Sequence, residues 1–284
     1  MPLATMSIDA RIEHVADAEW LMAYAAALDE DDARCFDTTG DGVAAHPLFP
    51  VCVEWPAWLQ ALSGRFSAES LQRGVHVTHE LDWHRPLRSG TSLSTRARIS
   101  AVRQRRSGLH VTTTLATCGT DGVEVFASRS GLLLRGVEGR EQGEDGGSDI
   151  DLLPSKQFAG PATIHWKASR DIPAGLAHIY SACSRIHNPI HTDVAAARRA
   201  GLPGIILHGT ATLALSVSAL LSRDGAGRPV RRIAARFLAP VPLPTTLRIE
   251  GLGEQEADTF AFRAFNAGEA APACIGTVSF VDTT

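Results

Sequence analysis

The sequence predicts an α+β chain built as two copies of one half-sized unit, each an antiparallel sheet wrapped around a buried helix. Three observations predict it. Landmarks recur at one offset: Asp17 and Asp171 each open an apolar-periodic segment, Glu54 and His208 each open an apolar helical stretch, and Pro86 and Pro240 each lead into an alternating strand. Every one of these pairs is 154 residues apart in the 284-residue chain. Each half also carries four runs with period-2 alternation, separated by turn signals such as SGT, GTDG and NAGE that suit antiparallel hairpins. Finally, Thr210 to Leu221 (TATLALSVSALL) is small or apolar on nearly every face. A surface helix would show a polar stripe, so this one is buried all round and the sheet beside it must wrap it.

In chain order, Asp17 takes the N-cap role for the first helix, DAEWLMAYAAALDEDD, because its carboxylate can accept from the free N–H groups of the first turn. An irregular stretch follows, then the apolar helix EWPAWLQALSGRF. The strands GVHVTHELDW, SLSTRARISAV, LHVTTTLATC and VEVFASRSGLLL complete the first half. EGREQGEDGGSDIDLLPSKQ, rich in Gly, Asp and Glu, reads as an exposed linker. The second half repeats the order, with Asp171 opening DIPAGLAHIYSACS, the buried helix, and then RRIAARFLA, TLRIEGLG, DTFAFRAFN and CIGTVSFVD. The expected units are 1–136, a linker over 137–160, and 161–284.

Composition bounds the function. The net charge is −4, which gives no global reason to bind nucleic acid or an anionic membrane. No apolar run approaches the ~20 residues that span a bilayer. The N-terminus meets charge at Asp9 without a signal-peptide apolar stretch, so a cytoplasmic location is expected. Cys35, Cys52, Cys118, Cys183 and Cys274 are odd in number and widely spaced, which fits small hydrophobes in a reducing compartment. His76, His79 and His84 alternate imperfectly along one strand and read as solvent-facing positions rather than metal ligands, since no further ligands accompany them.

The densest chemistry is YSACSRIHNPIHTDVAAARRAGLPGIILHG, residues 180–209. Asn188 precedes a proline and is biased to extended backbone. Thr192 or Asp193 can cap the short helix DVAAARRA, which Gly201 stops. His191 is thereby held at a turn just before a helix, where an imidazole can act as general acid or base. Gly209, after His208, opens the buried helix. It permits close backbone approach, and the unpaired N–H groups there can stabilise a developing oxyanion.

Together these residues resemble the MaoC-like, or R-specific, enoyl-CoA hydratase/dehydratase family, whose signature runs Y-x-x-(apolar)-S-G-D-x-N-P-(apolar)-H followed by H-G. The matches are Tyr180, Ser184, Asn188, Pro189, Ile190 and His191, then His208 and Gly209. The family uses the hot-dog fold, in tandem in longer members, so the resemblance implies a double hot dog. It implies His191, Asn188 and Gly209 as catalytic residues and Tyr180, Ser184, His187 and His208 as substrate-binding ones. The basic clusters Arg103/Arg105/Arg106 and Arg228/Arg231/Arg232 both read as charged hairpin loops or as forks for a phosphate of the thioester carrier, with Arg232 the expected contact.

The implied reaction interconverts 3-hydroxyacyl and trans-2-enoyl thioesters of CoA or an acyl carrier, with no metal or cofactor. The first half has no N-P-x-H and is expected to form a tunnel for the acyl tail. Where the family has Gly-Asp, this chain has Arg185-Ile186. Three readings follow: His191 works with a neighbour such as His187, Asn188 or Asp193; Glu54 supplies the carboxylate; or the site keeps thioester binding without hydration. A hot-dog thioesterase, using Glu54 or Asp193, and a non-catalytic binding subunit are the rival functions. Exposed sheet edges call for a cover such as a homodimer.

Overall fold

A computed structural model describes residues 10–143, Phe158 and 163–281. The first half runs β1 (Ala10–Ala16), α1 (Ala18–Ala27), α2 (Pro50–Ser63), α3 (Ala68–Gln72), β2 (Gly74–Trp83), β3 (Thr91–Arg105), β4 (Gly108–Gly119), β5 (Glu124–Arg135) and the short β6 (Gln142–Gly143). The second runs β7 (Trp166–Ile172), α4 (Leu176–Ser184), α5 (Val194–Arg199), β8 (Ile206–Leu207), α6 (Gly209–Asp224), β9 (Val230–Phe237), β10 (Val241–Pro242), β11 (Thr245–Glu256), β12 (Thr259–Phe265) and β13 (Cys274–Phe280).

One antiparallel sheet carries both halves in the order β1-β3-β4-β5-β2-β9-β13-β12-β11-β7. The order reads as one half followed by its mirror, so the double hot-dog architecture is present, each half wrapping one long helix. The seam is the β2–β9 pair, in register from Thr78↔Arg236 to Asp82↔Arg232. The edge strands β1 and β7 carry Arg11 and Glu13, and Lys167 and Arg170, charges that blunt edge-to-edge pairing.

The expected buried helix is α6. Its residues from Thr210 to Val217, together with Leu220, are all buried. Two of its hydroxyls bond back to carbonyls one turn earlier: Thr212 Oγ1 donates to His208 O at 3.2 Å and Ser216 Oγ to Thr212 O at 2.8 Å. Removing Leu213, Leu215, Val217 and Leu220 from water stabilises by roughly 1.5–3 kcal/mol apiece, as upper estimates. Its counterpart α2 starts four residues before Glu54, with Pro50 at a first-turn position where the missing N–H does no harm.

The two halves are tied by specific bonds. Tyr24 of α1 and Tyr180 of α4 share a hydrogen bond at 3.2 Å, and Trp20 Nε1 donates to Cys183 O at 2.7 Å. Ser218 of α6 donates to Glu30 at 2.7 Å, and His46 Nε2 lies 3.4 Å from the same carboxylate. Burial alone would raise the Glu30 carboxyl, but the bonds from His46, Ser218 and the Asp32 N–H hold it well below the usual carboxylate range.

Two expectations need correction. The helix of the second half does not open at Asp171, which lies in β7; α4 begins at Leu176. Both β1 and β7 went unread because each is a short edge strand running straight into a helix. Nor is the repeat offset constant, because loops of different length separate matching elements: β1 and β7 start at 10 and 166, β5 and β13 at 124 and 274. The linker expected over 137–160 is described only in part. Gln142 and Gly143 pair with β3, and Phe158 is buried with Ala234, Leu252, Ala261 and Ile275. Residues 144–157 and 159–160 of that linker lie outside the described residues.

Candidate active site

The segment from α4 to α6 is shaped by local capping. Ser184, fully buried, donates its hydroxyl to Tyr180 O at 2.6 Å and accepts from Ile186 N–H at 3.3 Å, closing the helix end. Arg185 follows in the left-handed region, φ 59°, and lays its guanidinium over the Trp20 ring at 3.7 Å. Asn188 Oδ1 accepts from Ile190 N–H at 3.4 Å, and Pro189 starts a single 3-10 turn ending at His191. Asp193 accepts from Ala195 and Ala196 N–H at 2.7 and 3.1 Å, so its carboxylate is committed to capping α5.

His191 is fixed from behind. Its Nδ1 donates to the Ile206 carbonyl at 2.9 Å, an assignment that follows because a carbonyl can only accept. In the neutral ring Nε2 then carries a lone pair. Burial pulls the imidazole down to about 4, with the Ile206 carbonyl working in the other direction. His191 is therefore a neutral proton acceptor at physiological pH.

Against it lies His208, with ring centroids 3.7 Å apart and planes inclined by 22°. His208 Nε2 bonds Ser181 Oγ at 3.1 Å and lies 3.4 Å from the Ile186 carbonyl. Burial, then His191, hold the His208 ring well below its usual range. Gly209 begins α6 beside this pair, and its N–H belongs to the first turn, which has no intrahelical partner. A Cβ there would meet Phe237 Cδ1 at 3.1 Å, so glycine keeps this approach open.

These groups open into a cavity of about 420 Å³ that both halves line. Asn188, His191, His208 and Gly209 are on its wall, as is Ile186. The other expected residues are not. Tyr180 is fully buried, and its hydroxyl is engaged by Tyr24 and Thr210. Ser184 is the helix closure described above. His187 is exposed and off the cavity wall. Arg232 spans the seam instead, its guanidinium on Glu80 at 2.5 Å and on Asp82 at 3.0 Å. A phosphate would have to displace two carboxylates there.

The cavity also holds residues that sequence reasoning assigned elsewhere. His76 and His79 face it rather than solvent, and His79 is 1% exposed. A β-bulge between His76 and Thr78 breaks the alternation, which explains the misreading. Glu54, which one sequence reading offered as the site carboxylate, is 3% exposed and also on the wall. Burial pushes its carboxyl up to about 8, with the nearby Ser128 hydroxyl pulling the other way. Trp55, Trp58 and the exposed Arg135 were not singled out, and no sequence signal marks them.

Comparison with known proteins agrees with the double hot-dog fold. Residues 163–269 match the MaoC like domain, and residues 4–128 match the FAS1-like dehydratase domain region. Over 201 residues the chain is 28% identical to 3-hydroxyacyl-thioester dehydratase X of Mycobacterium tuberculosis; the match spans 70% of this chain and 66% of that protein. A MaoC-like dehydratase from Phytophthora capsici superposes with a TM-score of 0.81 at 20% identity, covering 98% of this chain and 97% of that one. A Mycobacterium tuberculosis protein described as having a double hot-dog fold superposes at 0.63 with 16% identity, covering 98% and 95%. The chain thus joins a MaoC-like dehydratase domain to a FAS1-like dehydratase region, in a double hot-dog fold.

Proposed function

We propose that the cavity interconverts 3-hydroxyacyl and trans-2-enoyl thioesters, with His191 as the proton-transferring group. The observation that carries this reading is the neutral His191, anchored through Nδ1 to Ile206 and set beside the Gly209 helix terminus. A thioester carbonyl at the Gly209 N–H places its developing enolate charge at the positive end of the 16-residue helix α6. His191 Nε2 takes the α-proton as the C–H bond breaks. The resulting imidazolium gives that proton to the 3-hydroxyl as the C–O bond breaks, releasing water and leaving the 2,3 double bond. The ring ends as it began, so one imidazole completes the cycle. Asn188, with Oδ1 on Ile190, has its amide nitrogen left for the hydroxyl or the water.

The substrate is an acyl thioester of CoA or of an acyl carrier, and the first half receives the acyl tail. A second reading has one specific observation behind it: Ile186, on the cavity wall and 5% exposed, stands where the family motif has an aspartate and cannot move a proton. On that reading the chain binds acyl thioesters without hydrating them. Hydration of a short 2-enoyl-CoA, followed by loss of the enoyl-thioester absorbance, separates the two. Turnover by the wild type supports the hydro-lyase. Binding without turnover on any enoyl or hydroxyacyl substrate overturns it, and CoA release without loss of the enoyl chromophore points to thioester hydrolysis instead.

A further inference from the structure

We propose that the first-half end of the cavity is a recognition subsite for a neutral oxygen function, a hydroxyl above all, on the acyl chain, formed by Glu54, His76 and His79. The proposal rests on the acyl-thioester reading given above and names the class of chain that the site prefers.

A tunnel meant for a plain alkyl tail is lined by aliphatic side chains. Here three polar atoms, Glu54 Oε1, His76 Nε2 and His79 Nε2, are buried without a hydrogen-bond partner on residues that all line the one cavity. Saturated carbon packed against them leaves all three unsatisfied, which is a standing penalty. An oxygen function removes it. The three side chains come from two elements: Glu54 projects from α2, while His76 and His79 lie on β2 with their rings 5.5 Å apart and nearly perpendicular. His79 is held from behind through Nδ1 on Ser130 Oγ at 3.0 Å, and His76 is packed between Trp58 and Phe237, each at 4.8 Å. The cluster is therefore positioned, as a recognition site requires.

Its protonation state fixes the ligand chemistry. Burial holds Glu54 up at about 8, and burial holds His76 and His79 down at about 3 and 4, the His79 neighbour adding to the effect on His76. At neutral pH the subsite thus offers a protonated carboxyl as donor and uncharged imidazole nitrogens. A hydroxyl, which both donates and accepts, matches that set. A carboxylate tail would bring an uncompensated charge into it.

The subsite is also placed along the chain. Phe237 touches the Gly209 position on one side and packs at a tilt of 51° against His76 on the other. One aromatic ring therefore separates the thioester cradle from the cluster. The recognised oxygen lies on the far side of the Phe237 ring from the Gly209 helix terminus.

The test measures equilibrium binding of saturated decanoyl-CoA and of its 6-, 8- and 10-hydroxy derivatives, by calorimetry, to the full chain. The same ligands are offered to Glu54→Gln, Glu54→Leu and His79→Phe, each checked for a cooperative melt. The expected result is about tenfold or greater preference for one hydroxy isomer by the wild type. That preference should be largely kept in Glu54→Gln, where an amide still donates, and fall towards unity in Glu54→Leu and His79→Phe. No preference for any isomer, or a preference untouched by Glu54→Leu and His79→Phe, overturns the proposal. Preference for an ω-carboxylate chain overturns it too. Since binding is read without turnover, a hydroxy preference in a protein that hydrates nothing leaves the subsite standing and removes only the hydro-lyase. Hydration without the preference removes only the subsite, and failure of every CoA ester to bind removes both.

Discussion

His191 and His208 stack as a pair of imidazoles 3.7 Å apart, with planes inclined by 22°. Burial holds both rings below the usual histidine range, and His191 lowers His208 further. In the mechanism proposed above, His191 enters the reaction as a base.

The pH profile follows from the burial of His191. A histidine whose value in the folded protein is lowered to about 4 stays in its neutral, proton-accepting form until the pH falls to that region. The acid limb of kcat/KM for dehydration is expected near pH 4–5, well below the ordinary histidine range around 6.5. His208→Ala removes the stacked ring and lets water reach His191, so the limb should move up by one unit or more. A wild-type limb at 6.5, unmoved in His208→Ala, would contradict the pairing.

Gly209→Ala tests the helix-terminus cradle. The added methyl must displace Phe237 by a few tenths of an ångström and stand where the thioester carbonyl approaches. Alanine is otherwise the better helix former by roughly 0.5–1 kcal/mol. The expected outcome is a fall of ten- to a hundredfold in kcat/KM with a melting temperature within a few degrees of wild type. Unchanged kinetics would place the carbonyl elsewhere.

Ile186→Asp introduces a carboxylate on the cavity wall among His191 and His208. An opposite charge there favours the imidazolium and supplies a second proton-transferring group, so hydration should rise at least tenfold. Burying a charge at a site that is 5% exposed also lowers stability, so the melting temperature should drop. A variant no faster than wild type would show that residue 186 does not face the reacting atoms.

Glu54→Gln makes a stability prediction of the opposite kind. A carboxyl raised to about 8 in the folded protein binds its proton more tightly there than in the unfolded chain. Its contribution is fully present below the unfolded value near 4.3 and is lost as the pH rises through 8. Glutamine does not titrate. The variant should therefore be more stable than wild type at pH 8, by about 2–4 kcal/mol, with the gap closing towards pH 4.5. Denaturant melts at the two pH values measure it, and a gap independent of pH would mean that Glu54 is ionised in the fold.

Parts of this molecule were legible before any coordinates. The uninterrupted apolar surface of Thr210 to Leu221 marked a helix with no exposed face, and α6 is that helix. Asn188-Pro189 and the helix behind Asp193 marked a rigid mount for His191, because capping is a local interaction that sequence spacing controls. His76 and His79 were illegible for a physical reason. Alternation along a strand says which residues share a face, not whether that face meets water or an internal cavity, and the bulge at His76 blurs even the alternation. Tyr180 and Arg232 were misplaced because their partners, Tyr24, Glu80 and Asp82, are about 150 residues away in sequence. Contacts across the seam between halves leave no mark in local pattern.

The central claim is that His191 moves the proton. Hydration of a short 2-enoyl-CoA by wild type and by His191→Ala at pH 7 tests it most directly. A fall of about 10²–10⁴ in rate, with folding and CoA-ester binding kept, is the predicted result. Equal rates in the two proteins would contradict it.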